Sequence, residues 1–456
     1  VDEKDPRVTT EQFDRTQPGS TGPGNGIEAI TVVGGGLIGL FTALYGHNAG
    51  YQVRVIERSV VGSGASRGNA GEICPSMANP MPSPGMVRNG LANSLAEDAA
   101  LRIKLPPTIE LSRWLLAFAR NCRPGAFERG FDALSSLAKR SFELFEALPD
   151  SGVATTLSQT GNLKCYADPD RAQRDFAVSQ RVRRFGLAAP TEMLSGDAIR
   201  ELAPVVSGAV TAGYHWPAQW FVDPSVLVDD LHAWLRAAGV VFQEHTVVTG
   251  VTPYRNAVVV HTDAGDVETD AVVIASGAWS PAVLKSVGLR APIQSGKGYS
   301  FSVTPDVMPS HVINMSESNA VATPMGDRLR IGGTVEFDGT MDRFNASRIE
   351  RIVRAARPYL TGIDWEDRSE EWVGPRPMTP DGLPLIGRTR ASARVVVAAG
   401  HNMLGLTLGP ASAELAISAI GAQTQPGWSA PFDANRFSRR GAGRRQLAER
   451  LPAPAR

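Results

Sequence analysis

The chain has 456 residues, 43% hydrophobic and 20% charged, with 46 basic side chains balancing 46 acidic ones. That length predicts two domains rather than one small core, and the zero formal net charge argues against a general nucleic-acid binder. No run of about 18 uncharged apolar residues occurs, so no transmembrane helix is expected, and the three scattered cysteines (Cys74, Cys122, Cys165) indicate neither a disulfide framework nor a metal site.

In chain order, Val1 to Gly26 is polar, rich in Gly, Pro and Thr, and has no apolar h-region, so a disordered arm is expected. Then comes "ITVVGGGLIGLFTALYGHNAGYQVRVIER". Ala29 to Gly34 reads as a buried parallel strand. Gly34, Gly36 and Gly39 form a GxGxxG: a tight turn, a close backbone approach to a pyrophosphate, and close helix–strand packing. Leu37 and Ile38 open a helix running to about Asn48, its positive end facing the phosphates, and Gly50 stops it. Gln52 to Ile56 is the next strand. Glu57 ends it, placed to accept from ribose hydroxyls and to repel a 2′-phosphate, with Arg58 beside it.

The loop "GASRGNAGEICPS" is rich in small residues, which lets backbone N–H groups near Ser66, Asn69, Ala70 and Gly71 approach a flat ring or a phosphate. "SRWLLAFARNC" is an amphipathic helix, core-packed by default, with a membrane-facing surface as the alternative. Asp223 caps the next helix with Pro224 at its first position and Gly239 at its end. Val240 to Val248 returns as a strand, with Val248 assigned to the cofactor. A hairpin turning at Asp263-Ala264-Gly265-Asp266 leads to the buried strand "AVVIASGAWS", where Ser276 and Gly277 form a glycine turn at the sheet edge. These dispersed segments suit an extended flavin dinucleotide better than NAD.

The dinucleotide turn, "GNAGEICPS", "GKGYS", "WVGPRPMTPDGLPLIGRT" and "GHNMLGLTLGP" together resemble the flavin-dependent amine and D-amino-acid oxidoreductases, and within them the bacterial D-amino acid dehydrogenases. The resemblance runs from Ile27 to about Arg439. It implies FAD held non-covalently. Some relatives, the sarcosine oxidases, link their flavin through a late cysteine, and none follows Cys165 here.

Oxidising an amino acid at a flavin needs a carboxylate anchor, a sheltered cage and a helix start near the ring. Arg376, stiffened between Pro375 and Pro377, is the candidate clamp, because a guanidinium matches a carboxylate bidentately. The resemblance places it like the carboxylate-binding arginine of glycine oxidases. Tyr299 either caps the substrate with its hydroxyl, stacks near the ring, or is a core tyrosine. His401 either meets substrate or flavin or merely bonds its loop. Gly400, Met403, Leu404, Gly405, Leu406 and Thr407 form a loop and helix start whose N–H groups are expected at the ring.

The expected fold is α/β, a Rossmann-like FAD-binding domain with a second substrate domain on a mixed antiparallel sheet. Residues 27–90, 221–290 and 369–435 build the first, 91–220 and 291–368 the second, and 436–456 is a basic tail. The expected activity is oxidative deamination of D-amino acids to 2-oxo acids and ammonia, by hydride transfer from Cα to flavin N5. Electrons pass to a quinone or other acceptor. An oxygen-using oxidase, a dehydrogenase of a secondary amino acid (D-hydroxyproline, glycine or sarcosine-like) and a flavin subunit of a larger complex are the alternatives. The expected location is cytoplasmic, with peripheral contact at the inner face of the cytoplasmic membrane as a further option.

Overall fold

The computed structural model describes residues 26–86, 94, 96 and 98–438. Almost all of the expected N-terminal arm, and the tail arginines from Arg439 onward, lie outside the described residues. With strands numbered along the chain, six of them form the first sheet: β1 (Ala29–Val33), β2 (Gln52–Ile56), β9 (Val241–Gln243), β13 (Ala271–Ile274), β19 (Leu385–Arg388) and β20 (Val395–Ala399). Their order is β19-β20-β13-β1-β2-β9, parallel throughout except that β19 runs against β20. The central strands "AITVV", "AVVI" and "VVVAA" are apolar on both faces because helices cover one side and a three-stranded meander with further helices covers the other.

The Leu37–Asn48 helix packs against the late Gly405–Ile420 helix. A Cβ on Gly409 would come within 2.8 Å of Phe41, so the two backbones approach closely there. The Pro124–Glu146 helix joins them, with Phe145 edge-on to Phe41 at 5.7 Å.

The second sheet has nine strands. Its main path is β18 (Ser369–Met378), β14 (Gln294–Val303), β17 (Arg328–Phe337), β16 (Ala320–Met325), β15 (Val312–Met315), β5 (Asn162–Tyr166), β7 (Ala212–Trp216) and β6 (Leu194–Ser195), while β4 (Leu101–Ile103) pairs with β17 off that path. Pairing is antiparallel except for β15–β5 and β17–β4, so the sheet is mixed. The fold is therefore α/β, with a Rossmann-like region and a second region on a mixed sheet.

Two local expectations need correction. Val240 to Val248 is not one strand: the chain breaks between β9 and β10 (Val248–Pro253), with His245 at φ +53°. There the N–H of Thr246 donates to Glu57 O at 2.9 Å, and the N–H of Val61 donates to Glu244 Oε1 at 2.6 Å. The segment leaves the sheet to brace the end of β2. The hairpin turn is also tighter than expected: Thr262 pairs with Gly265, leaving Asp263 and Ala264 as the two turn residues between β11 (Val258–Thr262) and β12 (Gly265–Thr269).

Candidate active site

One cavity of about 1200 Å³ runs from the glycine turn at the end of β1 to the face of the mixed sheet. At the turn, Gly34 has φ +109°, and a Cβ there would sit 2.7 Å from Ala275 O, just past the end of β13. A Cβ on Gly39 would strike Gly34 O, so that glycine serves helix packing rather than the cavity. Gly36 borders the cavity, where a Cβ would approach Ser66 Oγ to 3.1 Å. Ser66 Oγ accepts from Leu37 N at 3.0 Å and so satisfies one free donor of the helix start. Glu57 is buried. Its Oε2 accepts from Gly35 N at 2.7 Å and its Oε1 from Ser59 N at 3.0 Å, which fixes the carboxylate while each oxygen keeps acceptor capacity toward the cavity. Arg58 lies 4.8 Å over the Trp279 ring, and this pair walls the end beside Gly64.

The small-residue loop bridges the two sheets. Asn69 folds it internally, its Nδ2 donating to Ser66 O at 2.5 Å and its Oδ1 accepting from Gly71 N at 2.7 Å. From the mixed sheet, Ser300 Oγ donates to Gly68 O and Thr323 Oγ1 to Ala70 O. From the late helix, Thr407 Oγ1 accepts from Cys74 N at 3.1 Å and donates to Glu72 O at 3.2 Å. Gly68 must lack a side chain: a Cβ would enter the Trp372 indole.

Arg376 comes from β18. Its guanidinium lies flat over Gly298 on β14, where a Cβ would fall 2.2 Å from Cζ, and Nη1 donates to Thr334 O at 2.7 Å. No carboxylate pairs with it among the described residues, and burial lowers its pKa to about 10, which leaves it charged at neutral pH. His401 is buried and lines the cavity, its Nε2 has no partner, and burial pushes its pKa down to about 3. The imidazole is therefore neutral at any ordinary pH. Asn402, at φ +54°, holds this loop to the end of β18: its Oδ1 accepts from Thr379 N at 2.9 Å and its own N–H donates to Pro377 O. The N-terminus of the Gly405–Ile420 helix closes this side.

Of the residues expected from sequence, Gly34, Gly36, Leu37, Ile38, Glu57, Arg58, Ser66, Asn69, Ala70, Val248, Ser276, Gly277, Met403, Leu404, Gly405, Leu406, His401 and Arg376 all line the one cavity. Gly39, Gly71, Gly400 and Thr407 do not. A Cβ on Gly71 would meet Val222 O at 2.3 Å, and one on Gly400 would meet Thr379 at 2.7 Å, so both are spacers. Thr407 is occupied with the loop backbone, as described above. Tyr299 touches the cavity wall but belongs to the core beneath the sheet. Its hydroxyl donates to Glu336 Oε2 at 2.6 Å, and burial with that carboxylate raises its pKa, so the core alternative describes it and the capping role does not. Sequence reasoning missed Trp279, Trp372, Asn402, Glu72 and Lys164. All but Lys164 stand inside quoted motifs, and the closeness of Gly68 and Gly374 to the Trp372 indole is visible only in the fold.

The residues fit FAD. The glycine turn leaves room for a pyrophosphate at a helix start, the Glu57 carboxylate lines the cavity beside it, and His401 lines the far end next to the start of the Gly405–Ile420 helix. Comparison with known proteins agrees. The family model described as "DAO: FAD dependent oxidoreductase" matches residues 29–419. The D-amino acid dehydrogenase of Dechloromonas aromatica (strain RCB) is 30% identical over 398 residues, covering 84% of this chain and 94% of that protein. That of Cereibacter sphaeroides (strain ATCC 17023) is 30% identical over 437 residues, covering 93% and 99%. Among solved structures, glycine oxidase from Geobacillus kaustophilus superposes with a TM-score of 0.70 at 24% identity, over 90% of this chain and 99% of that one. L-proline dehydrogenase from P. horikoshii gives 0.67 at 20% identity, over 90% and 98%. At those identities the two structures speak to the fold.

Proposed function

The chain belongs to the FAD dependent oxidoreductases, and from that premise we propose that it is a D-amino acid dehydrogenase holding its FAD without a covalent link. The observation that carries the reading is Arg376, a charged guanidinium with no acidic partner among the described residues, held flat on a glycine inside the cavity. An uncompensated buried cation is costly, and a substrate carboxylate is the natural group to offset it. The D-amino acid dehydrogenases at 30% identity support the choice of substrate class and stereochemistry.

Bound FAD supplies the acceptor for the hydride that leaves the substrate Cα. The protein's own groups do the rest. Arg376 anchors the carboxylate and so fixes which face of Cα is presented. His401 stays neutral and offers one donor or acceptor without adding charge. The positive end of the Gly405–Ile420 helix favours negative charge beside it. Met77, Met81, Met86 and Leu101 line an apolar flank that limits water. The amino acid loses a hydride and a proton to become an imino acid, which water converts to a 2-oxo acid and ammonia. The two electrons leave to a quinone or another carrier.

Non-covalent binding is supported by the thiols. Cys74 lines the cavity, but burial pushes its pKa up to about 12, and Cys122 and Cys165 are buried in core clusters away from it. A cytoplasmic site with peripheral contact at the inner membrane face accompanies the proposal. It draws on the exposed Leu105, Ile109 and Leu116 around the Ile109–Asn121 helix.

The test is an anaerobic panel of D- and L-amino acids, watching the visible flavin absorbance. Reduction by D-isomers is expected, with electrons passing to quinone analogues much faster than to oxygen. No bleaching by any amino acid or secondary amine would sink the enzyme reading. Arg376→Lys should raise KM for D-amino acids about ten- to hundredfold while FAD stays bound, since a point charge replaces a bidentate fork. An unchanged KM would remove Arg376 from the substrate site.

A further inference from the structure

Beyond the carboxylate anchor, the cavity has a second polar pole on strands that contribute nothing to the flavin turn. Register across the mixed sheet sets Ser300, Gly332, Val321, Asn314 and Lys164 in one row from β14 to β5. All five line the cavity. Glu72, at the end of the small-residue loop, reaches the same place. Its Oε1 accepts from Asn162 Nδ2 at 2.7 Å, and its charge and that of Lys164 act on one another. Asp175 and Ser316 complete the wall, with Asp175 Oδ2 accepting from the Tyr166 hydroxyl at 3.0 Å.

Each carboxylate here has a donor. Lys164 is the exception: its ammonium makes no hydrogen bond or close ion pair among the described residues. It nevertheless stands where burial is deep enough to lower its pKa. A half-buried ammonium that lines a cavity with its donors free seeks an oxygen acceptor. The Arg376 guanidinium lies over Gly298 on β14 and reaches Thr334 on β17, and Lys164 rises from β5, three strand spacings from β17 and four from β14, or roughly 14 to 19 Å at about 4.8 Å each. Both cations line the same cavity, so a chain with an oxygen at each end can lie between them.

We propose that Lys164, framed by Glu72 and Asn314, is a specificity residue that receives the side-chain carbonyl oxygen of the substrate, making this an enzyme for D-amino acids whose side chains end in a carboxamide or carboxylate. The proposal rests on the reading of Arg376 as the α-carboxylate anchor. It assigns the other end of the same substrate. Asn314 adds an amide able to donate or accept beside the lysine. Glu72 limits the positive charge of the pole, which keeps it open to a neutral carboxamide as well as to an anion.

The FAD-loaded protein is titrated with glutarate, glutaramate and pentanoate, following the flavin spectrum and the heat of binding. All three carry a carboxylate for Arg376, and only the first two carry a second oxygen. Glutarate or glutaramate should bind at least tenfold tighter than pentanoate, and the ratio of those two tells an anion-selecting pole from one that takes any carbonyl oxygen. Lys164→Met should abolish the preference, and Lys164→Gln, which retains a donor, should keep part of it. FAD content reports folding of both variants. Equal binding of pentanoate, no binding of any of the three acids, or a preference that survives Lys164→Met would overturn the proposal. If the preference holds but no D-amino acid bleaches the flavin, the dehydrogenase reading fails and the pole stands. If both hold, D-glutamine or D-glutamate should reduce the flavin at lower KM than D-norvaline.

Discussion

His401 and Glu72 illustrate how burial tunes a residue, alone in His401 and against the opposing pull of Lys164 and Asn162 in Glu72. His401 has its pKa pushed from 6.5 down to about 3, so in acid the unfolded chain takes up a proton that the folded chain refuses. Its contribution is full above about pH 6.5 and is lost as pH falls from there toward 3. His401→Gln should therefore flatten the fall in Tm between pH 7 and pH 4.5, and a variant with the same acid sensitivity as the parent would contradict the neutral imidazole. Glu72 works in the opposite sense. Burial raises its pKa from 4.5 to about 7, so the folded state binds the extra proton, and stability is lost as pH rises through that interval. Glu72→Gln should raise Tm more at pH 8 than at pH 5, a difference readable by thermal denaturation at the two pH values.

At the scale of elements, the site depends on places where a side chain is missing. Gly298 gives Arg376 a floor, Gly68 and Gly374 make room for the Trp372 indole, and Gly36 leaves space beside Ser66. Gly298→Ala should displace the guanidinium and raise KM about as much as Arg376→Lys, with FAD content unchanged; an unaltered KM would place the working position of Arg376 elsewhere. Gly36→Val should purify without flavin, and a fully yellow variant would contradict the pyrophosphate assignment. The strand–turn–helix–strand unit from Ala29 to Glu57 was legible because its signals are local: an apolar run, three glycines at fixed spacing, and an acid at the strand end. Arg376 was legible from the prolines on either side of it. Lys164 and Asn314 were not, because they become neighbours only through the parallel β5–β15 register, and the pattern around either residue carries no trace of the other. Tyr299 was ambiguous for a related reason, since strand alternation alone does not say which face of a sheet meets a cavity.

For the whole molecule, the cofactor cavity is the seam between the two sheets, and the loop from Ser66 to Cys74 is fastened to the mixed sheet on one side and to the Gly405–Ile420 helix on the other. A ligand bound along that seam stabilises the folded state with the logarithm of its concentration over Kd, by about 2.7 kcal/mol at a hundredfold excess over Kd. Removing FAD should therefore lower Tm by several degrees, and restoring it should return that difference in a concentration-dependent way. A Tm indifferent to flavin would mean that the seam holds without it.

The interleaving of the first sheet also bears on synthesis. β1 leaves the ribosome first, yet its neighbour β13 begins at Ala271 and β20 only at Val395, and the helix that seals the site ends at Ile420. Domains usually fold as they emerge, but here the emerging glycine turn must wait for nearly the whole polypeptide. A nascent chain stalled before Val395 would expose the hydrogen-bonding edge of β13 that β20 later pairs with. The flavin cavity is complete only once the Gly405–Ile420 helix, whose start lines it, has been made.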